Sequence, residues 1–178
     1  MLVFYYLNKQ LFILYSNFSK EDKMIITKAM VIEALEFVVP SAEVILATEF
    51  GTTWGPRWVE GFIDIPGLLD FPFRFGKKTE WNSTWGEEKN FSVMAMRKLR
   101  TAKRLRMNTG IAITRCPWLF QEGDYLYSGG VYREGIACGV SGAKGWVDEG
   151  LAEMVVSSII ILAQLETDAR KEWKEMKI

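Results

Sequence analysis

The segment GIACGVSGAKGW, residues 135–146, restricts the possible folds most, because it begins as an apolar strand former and then loses nearly all bulky side chains. It carries glycine at positions 135, 139, 142 and 145, and a long apolar stretch follows it. Glycine permits positive φ and allows another backbone or a ligand to approach closely. The pattern therefore predicts a strand, a tight glycine turn and a helix whose first N–H groups lack partners within the helix.

A helix that begins at such a turn offers N–H groups and the positive end of its dipole to a carboxylate or phosphate. The glycine spacing matches neither the P-loop nor the dinucleotide fingerprint, so two interpretations stay open. The turn either only connects strand and helix tightly, or it forms an anion site. The residues of that candidate site are Gly139, Ser141, Gly142 and Lys144.

The complete absence of histidine in the 178 residues narrows the possible functions. It excludes Ser–His and Cys–His catalytic pairs, a histidine ligand for haem iron and the common histidine-bearing zinc sites. Lys and Arg together number 22, as do Asp and Glu, so no overall field favours nucleic acid or an anionic membrane. Two cysteines give no disulfide framework, and we expect a cytoplasmic protein.

The first 23 residues are apolar at their start but do not resemble a targeting segment. They lack a basic beginning and a small-residue cleavage site, and the apolar run is too short to span a membrane. We expect either a non-native extension, with Met24 as the working start, or an assembly arm. Residues 24–178 are expected to form a single domain.

Hydrophobic periodicity and turn residues predict the element order α-β-β-α-β-β-α. The pattern indicates an α+β fold in which helices pack on a mainly antiparallel sheet. The predicted elements are a helix at 21–39 ended by Pro40, paired strands at 42–50 and 56–66, an ordered aromatic loop at 66–86, a helix after a capping box at Thr84, one or two strands at 109–130, the strand of the glycine segment, and a final helix.

Two segments are rich in one residue type and each allows more than one interpretation. The helix after Thr84 carries six cations between positions 97 and 106, which form a solvated face, a subunit contact or a surface for acidic ligand groups. The Trp- and Phe-rich stretch from Trp54 to Trp85 forms either the wall of a pocket or a subunit interface.

Two blocks of the sequence resemble the GlcG/HbpS-like family, which is often labelled haem-binding or haem-degrading. The first, YSGGVYREGIACGVSGAKGWVDEGLAEMVVSSI, is similar to the family's glycine-rich run near its end. The second, FSVMAMRKLRTAKRLRMNTG, looks like its central helix with the pattern A-x-x-K-x-R-T-A. Ala95, Lys98, Arg100, Thr101 and Ala102 occupy those positions. The resemblance covers roughly residues 85–165; the chain departs from it at 50–84 and in a shortened hairpin at GGVYREG.

The family includes the C-terminal domain of PduO-type cobalamin adenosyltransferases. The resemblance implies a profilin-like α/β/α sandwich, assembly into a homo-oligomer, and binding of a small molecule such as haem or another tetrapyrrole. Arg100 and the glycine-turn residues would then contact the acidic groups of the ligand.

A haem ligand would require Cys, Met or Tyr at the iron, because the chain has no histidine. Cys116-Pro117 resembles the Cys-Pro pairs that recur in haem-responsive proteins, so Cys116 is the candidate iron ligand. Alternatively, Cys116 is a buried cysteine at a strand end. Two other functions stay open, an interaction or scaffold protein without a ligand and a histidine-free enzyme acting on a small acidic substrate.

Overall fold

The computed structural model describes residues 11–13, 24–48, 58–68, 70–77 and 90–175. These residues contain six strands, four α-helices and a short 3-10 helix at Pro117–Leu119. The strands are β1 (Leu11–Ile13), β2 (Ile25–Thr27), β3 (Trp58–Asp64), β4 (Phe71–Gly76), β5 (Gly130–Arg133) and β6 (Ile136–Ser141). The helices are α1 (Lys28–Ala47), α2 (Phe91–Leu105), α3 (Thr109–Arg115) and α4 (Gly145–Glu175).

The main sheet has four strands in the order β4-β3-β6-β5, and all its neighbours are antiparallel. The predicted strand, turn and helix of the glycine segment are confirmed as β6 and the start of α4. β6 is buried along its whole length and lies between β3 and β5. β1 and β2 pair separately as a two-stranded antiparallel sheet.

Helices cover both faces of the main sheet, and the alternation along β6 shows how. Ile136, Cys138 and Val140 join the large apolar core that α1 and α4 complete. Gly139, between them in sequence, lies against the backbone of α2 on the opposite face. The predicted α+β fold and its α/β/α layering are therefore confirmed. Among the described residues, no helix is both long and apolar enough to cross a membrane.

The prediction that Pro40 ends the first helix is wrong. α1 begins after its N-cap Thr27, whose hydroxyl oxygen accepts a hydrogen bond from Met30 N at 3.2 Å, and it continues through Pro40. Pro40 is exposed, and the helix beyond it buries Ala42 and Leu46. Burial of these side chains outweighs the hydrogen bond that proline removes, which propensity alone does not show.

The predicted strand at 42–50 is consequently wrong over residues 42–47, which are helical; residues 49 and 50 lie outside the described part. The strand predicted at 56–66 is confirmed as β3. Its antiparallel partners, however, are β4 and β6. β4 lies inside the stretch 66–86 that was predicted to be a loop, so that prediction is wrong for Phe71–Gly76.

The second helix begins later than predicted. Asn90 caps α2, with its side-chain oxygen accepting a hydrogen bond from Val93 N at 3.3 Å, whereas Thr84 lies outside the described residues. The strands predicted within 109–130 are wrong up to residue 129. That stretch contains α3, the 3-10 helix and irregular chain before β5 begins at Gly130. Short apolar runs such as TGIAITR suit a strand and a buried helix turn equally well.

Candidate functional site

α2 has two contrasting faces, and the outer one is strongly basic. Ala95, Leu99 and Ala102 are fully or almost fully buried against the sheet. Spacings of four, three and four residues place a second set of side chains on one stripe opposite the buried face, and all of them are exposed. We call this stripe the basic α2 face; it consists of Val93, Arg97, Arg100 and Arg104.

Lys98 is a cation of the same helix that does not lie on its outer face. It is 3% exposed, and its Nζ atom lies 2.7 Å from Oδ2 of Asp148, which is 1% exposed. Nζ also donates a hydrogen bond to the Val140 carbonyl oxygen at 3.0 Å. Burial raises the pKa of the Asp148 carboxyl group, while the Lys98 charge and backbone hydrogen bonds act against that rise. A pair this deeply buried is out of reach of a substrate.

The N–H groups of the glycine turn have a partner within the chain. Oδ1 of Asp148 accepts a hydrogen bond from Ala143 N at 2.9 Å, and the Gly142 N–H also bonds to this carboxylate. Asp148 therefore takes the place that an external anion would take at these two amides. Lys144, which follows Ala143, is partly exposed, and its carbonyl oxygen accepts hydrogen bonds from Val147 N and Asp148 N. The predicted role of Gly142 and Lys144 in ligand binding stays a prediction.

Two glycines of this segment are required by close packing. A Cβ atom on Gly139 would lie 2.6 Å from Leu99 N and closer still to the Ala95 carbonyl oxygen. Gly142 has φ of 141°, and a Cβ there would lie 2.7 Å from the Trp58 carbonyl oxygen. Both glycines therefore allow backbones to approach each other. Ser141, the remaining predicted contact of this group, is only 4% exposed.

The segment 116–128 lies beside the basic α2 face and is held there by side chains. Arg104 donates hydrogen bonds to the Leu119 carbonyl oxygen at 2.9 Å and to the carboxylate of Asp124. The Tyr125 N–H donates to the Thr101 hydroxyl oxygen at 3.0 Å. Burial raises the pKa of Asp124, but the hydrogen bonds from Arg104 and Gln121 and the Arg104 charge lower it more, and the net shift is downward.

Aromatic rings and an arginine meet on the open side of this segment. The Arg97 guanidinium carbon lies 4.9 Å from the centroid of the Tyr125 ring, and the Tyr125 and Tyr127 centroids are 5.2 Å apart. Tyr127 is 63% exposed. Burial raises the pKa of Tyr125, as does Tyr127, while Arg97 acts in the opposite direction. We call Arg97, Tyr125 and Tyr127 the tyrosine–arginine surface.

Two further exposed tryptophans are neighbours in sequence of residues that lie close to this segment or to α2. Trp146 follows Gly145, whose Cβ position would lie 3.2 Å from Cβ of Ser128, the residue after Tyr127. Trp146 is 63% exposed and Trp118 is 74% exposed. Trp118 stands next to Leu119, whose carbonyl oxygen binds Arg104. Large exposed aromatic side chains are typical of binding surfaces.

Cys116, the predicted iron ligand, lies at the start of this segment. It caps the C-terminus of α3, with its N–H donating to the Ala112 carbonyl oxygen at 2.9 Å, so its expected place at a strand end is wrong. Its partly exposed thiol is compatible with ligation of haem iron by one thiolate. No cluster of three or more His, Cys, Asp or Glu that would hold a metal occurs among the described residues.

The structure does not gather all the predicted site residues into one place. Arg100 is exposed on the outer face of α2, whereas Gly139 packs under its inner face, so the helix separates the two. The stretch that Cys116 begins lies on the outer side, because Leu119 contacts Arg104 there. A single ligand on the outer side would reach Arg100 and the segment 116–128 but not Gly139.

The described members of the aromatic stretch 54–85 are mostly interior residues. Phe73 and Phe75 belong to the apolar core, and Trp58 packs edge-to-face on Phe91 of α2 at 5.3 Å between centroids. Neither a pocket wall nor a subunit interface is needed to explain these three. Trp54, Trp81 and Trp85 lie outside the described residues.

Sequence reasoning missed the Lys98–Asp148 pair and the contact of Arg97 with Tyr125. Helix periodicity could have found Lys98, because it stands three residues after Ala95 and four before Ala102, on the face that contacts the sheet. Four of the five residues in the family-like pattern of α2 are buried; they are Ala95, Lys98, Thr101 and Ala102. Arg100 alone of that pattern is exposed and available to a partner.

Comparison with known proteins gives one distant match. No family model matches the chain, and no curated protein matches its sequence. Among solved structures, the chain is similar to the crystal structure of the Klebsiella pneumoniae protein ORFY, which is described under the family model DUF336, a family also called GlcG-like. The two are 15% identical with a TM-score of 0.47, and the match covers 82% of this chain and 97% of ORFY. This likeness is too distant to assign a family or a ligand to the chain.

Proposed function

We propose that the chain is a small-molecule-binding protein of the GlcG/HbpS-like type that acts as a homo-oligomer, with haem or another tetrapyrrole as its ligand. The sequence resemblance in two blocks supports the family. The observation that carries the ligand class is the tyrosine–arginine surface, where the partly exposed Tyr125 ring contacts the Arg97 guanidinium group and the exposed Tyr127 ring.

A flat ligand with acidic side groups matches this surface chemically. Tyrosine and tryptophan rings offer wide apolar faces for stacking on a macrocycle. Arginine binds carboxylates through a planar set of donors, which suits propionate groups. Arg97 is at the surface, and Lys144 precedes Trp146 by two residues.

Cys116 would hold the iron if the ligand is haem, since a thiolate is an established axial ligand. The other cysteine is unsuitable, because Cys138 is fully buried in β6 and burial strongly raises the pKa of its thiol. Iron ligation by Cys116 and stacking on the tyrosine–arginine surface can be tested separately, because a tetrapyrrole without iron needs only the surface.

A titration of the reduced protein with haemin, followed by absorption, tests the proposal. We expect a saturable Soret band at one haem per chain, shifted in Cys116→Ser and weakened in Tyr127→Ala and Arg97→Ala. Ile161→Ala is the matched control, since Ile161 is 58% exposed but lies on α4. An unsaturable response that is the same in all variants would overturn the ligand. Saturable binding unchanged in Cys116→Ser would keep the tetrapyrrole and reject Cys116 as its ligand.

An interaction protein without a ligand is the second candidate function. It is favoured by large exposed apolar side chains on α1, where Phe37 is 63% and Val44 is 67% exposed. A colourless, well-defined oligomer that takes up no tetrapyrrole would support it. For a histidine-free enzyme we see no comparable support, because Asp148 meets Lys98 only in the interior.

A further inference from the structure

The outer face of α1 combines exposed apolar side chains with unpaired acids. Phe37, Pro40 and Val44 lie on one stripe, at spacings of three and four residues, and all are exposed. Glu36 and Glu43 line one edge of that stripe, and Glu33 lies one turn before Phe37. We call this surface the acidic α1 face; it consists of Glu33, Glu36, Phe37, Pro40, Glu43 and Val44.

The three acids of this face have no ion-pair partner among the described residues. An apolar stripe with an acidic edge complements a partner that is apolar along its middle and positively charged at its rim. A second acidic α1 face would not serve, because like charges would then meet.

The basic α2 face has the complementary composition. Three arginines lie on this face, and α2 has no acid between Phe91 and Leu105. Arg104 already pairs with Asp124, so Arg97 and Arg100 supply the positive charge that is open to a partner. Val93 is 53% exposed and gives this face an apolar contact point, while Arg100 has no ion pair among the described residues. The aliphatic stems of arginine side chains also cover apolar surface such as a phenylalanine ring.

The two faces of one molecule cannot meet, because α1 and α2 lie on opposite sides of the sheet. We infer that the acidic α1 face of one copy docks on the basic α2 face of a second copy. Such a contact is heterologous, so a pair of copies still has one free face of each kind. The assembly therefore grows until it closes into a ring, or it continues as a filament. The inference rests on the proposed homo-oligomer and gives Arg100 a neighbouring subunit, instead of an acidic ligand group, as its partner.

Charge exchange across the two faces tests this contact by sedimentation velocity at low salt. The acid variant is Glu36→Lys with Glu43→Lys, the base variant is Arg100→Glu, and the third protein combines all three substitutions. We expect the acid and base variants each to weaken association by roughly tenfold, and the combined protein to recover most of that loss. Glu172→Lys on α4 and Arg115→Glu on α3 change exposed charges outside the two faces and should leave association unchanged.

Each other result overturns the contact. A wild-type protein that stays monomeric at low salt, single variants that behave like the two controls, or a combined protein no better than its parents would each reject it. The haemin titration separates this from the ligand proposal, because the acid variant retains the whole tyrosine–arginine surface. If the protein binds haemin saturably but stays monomeric in every variant, only the subunit contact is rejected. If the charge substitutions change its association but it binds no haemin, only the ligand is rejected.

Discussion

Nζ of Lys98 lies 2.7 Å from Oδ2 of Asp148, and this buried ion pair joins the middle of α2 to the first turn of α4. α2 and α4 cover opposite faces of the sheet, so the Lys98–Asp148 pair links the two helical layers beyond the end of β6. Nζ also donates to the Val140 carbonyl oxygen at 3.0 Å, which adds the sheet itself to the link. One pair of side chains thus connects all three layers.

Lys98→Met is expected to lower the free energy of unfolding by about 3–5 kcal/mol, because it leaves the buried Asp148 carboxylate without its opposite charge. Urea denaturation measures the loss. Lys103→Met is the control, since Lys103 pairs with Asp64 at 2.5 Å but its side chain is 51% exposed. That change should cost less than about 1 kcal/mol. Equal effects of the two substitutions would contradict the importance of burial.

Gly139→Ala is expected to reduce stability by about 1–3 kcal/mol or more, because the new methyl group meets the α2 backbone, which has no flexible end to move aside. Gly150→Ala is the matched control. Gly150 lies in α4 with nothing within 4 Å of its Cβ position, and alanine there should stabilise the helix by about 0.5–1 kcal/mol. Thermal denaturation of the two variants should therefore shift in opposite directions.

Pro40→Ala is expected to raise the free energy of unfolding by about 1–2 kcal/mol, since it restores a helical hydrogen bond inside α1 and Pro40 is exposed. Helical signal in circular dichroism should stay the same or rise slightly. Ser41→Ala, at the next exposed position, is the control and should change stability by much less. A loss of stability in Pro40→Ala would show that the proline itself stabilises the folded chain.

Asp124 should contribute a small pH-dependent stabilisation. Its folded-state pKa is lowered from 3.8, so the contribution is present above pH 3.8 and is lost as pH falls through the lower folded value. Arg104 is 34% exposed, so the effect should stay below about 1 kcal/mol. The stability difference between wild type and Asp124→Asn should therefore shrink in acid. A difference that is constant between pH 7 and pH 3 would contradict this assignment.

The parts of the fold that local signals determine were predicted correctly. The glycine pattern predicted β6 and the start of α4, and alternation predicted β3. The failures occur where tertiary contacts decide. α1 continues through Pro40 because its later residues find a core to pack on, and α3 is a helix although its seven residues suit a strand equally well.

The site was less predictable than the fold for a related physical reason. A sequence shows that Arg97 and Lys98 are adjacent cations, but only the packing shows that one meets a tyrosine at the surface and the other an aspartate in the interior. The N–H groups of the glycine turn were recognised as donors. That their acceptor is Asp148 depends on how the turn folds around its carboxylate, which the sequence alone does not show.

The segment between Pro117 and Tyr127 has a consequence for how the molecule comes apart. Its described backbone hydrogen bonds stay local, and its ties to α2 are side-chain contacts such as those of Arg104 and Thr101. It therefore detaches without breaking a strand pair, and amide exchange at Tyr125 should report an opening far less costly than global unfolding. Loss of this segment would leave the sandwich intact. We therefore expect unfolding to begin at the surface that would carry the ligand, and a bound ligand to delay that first step.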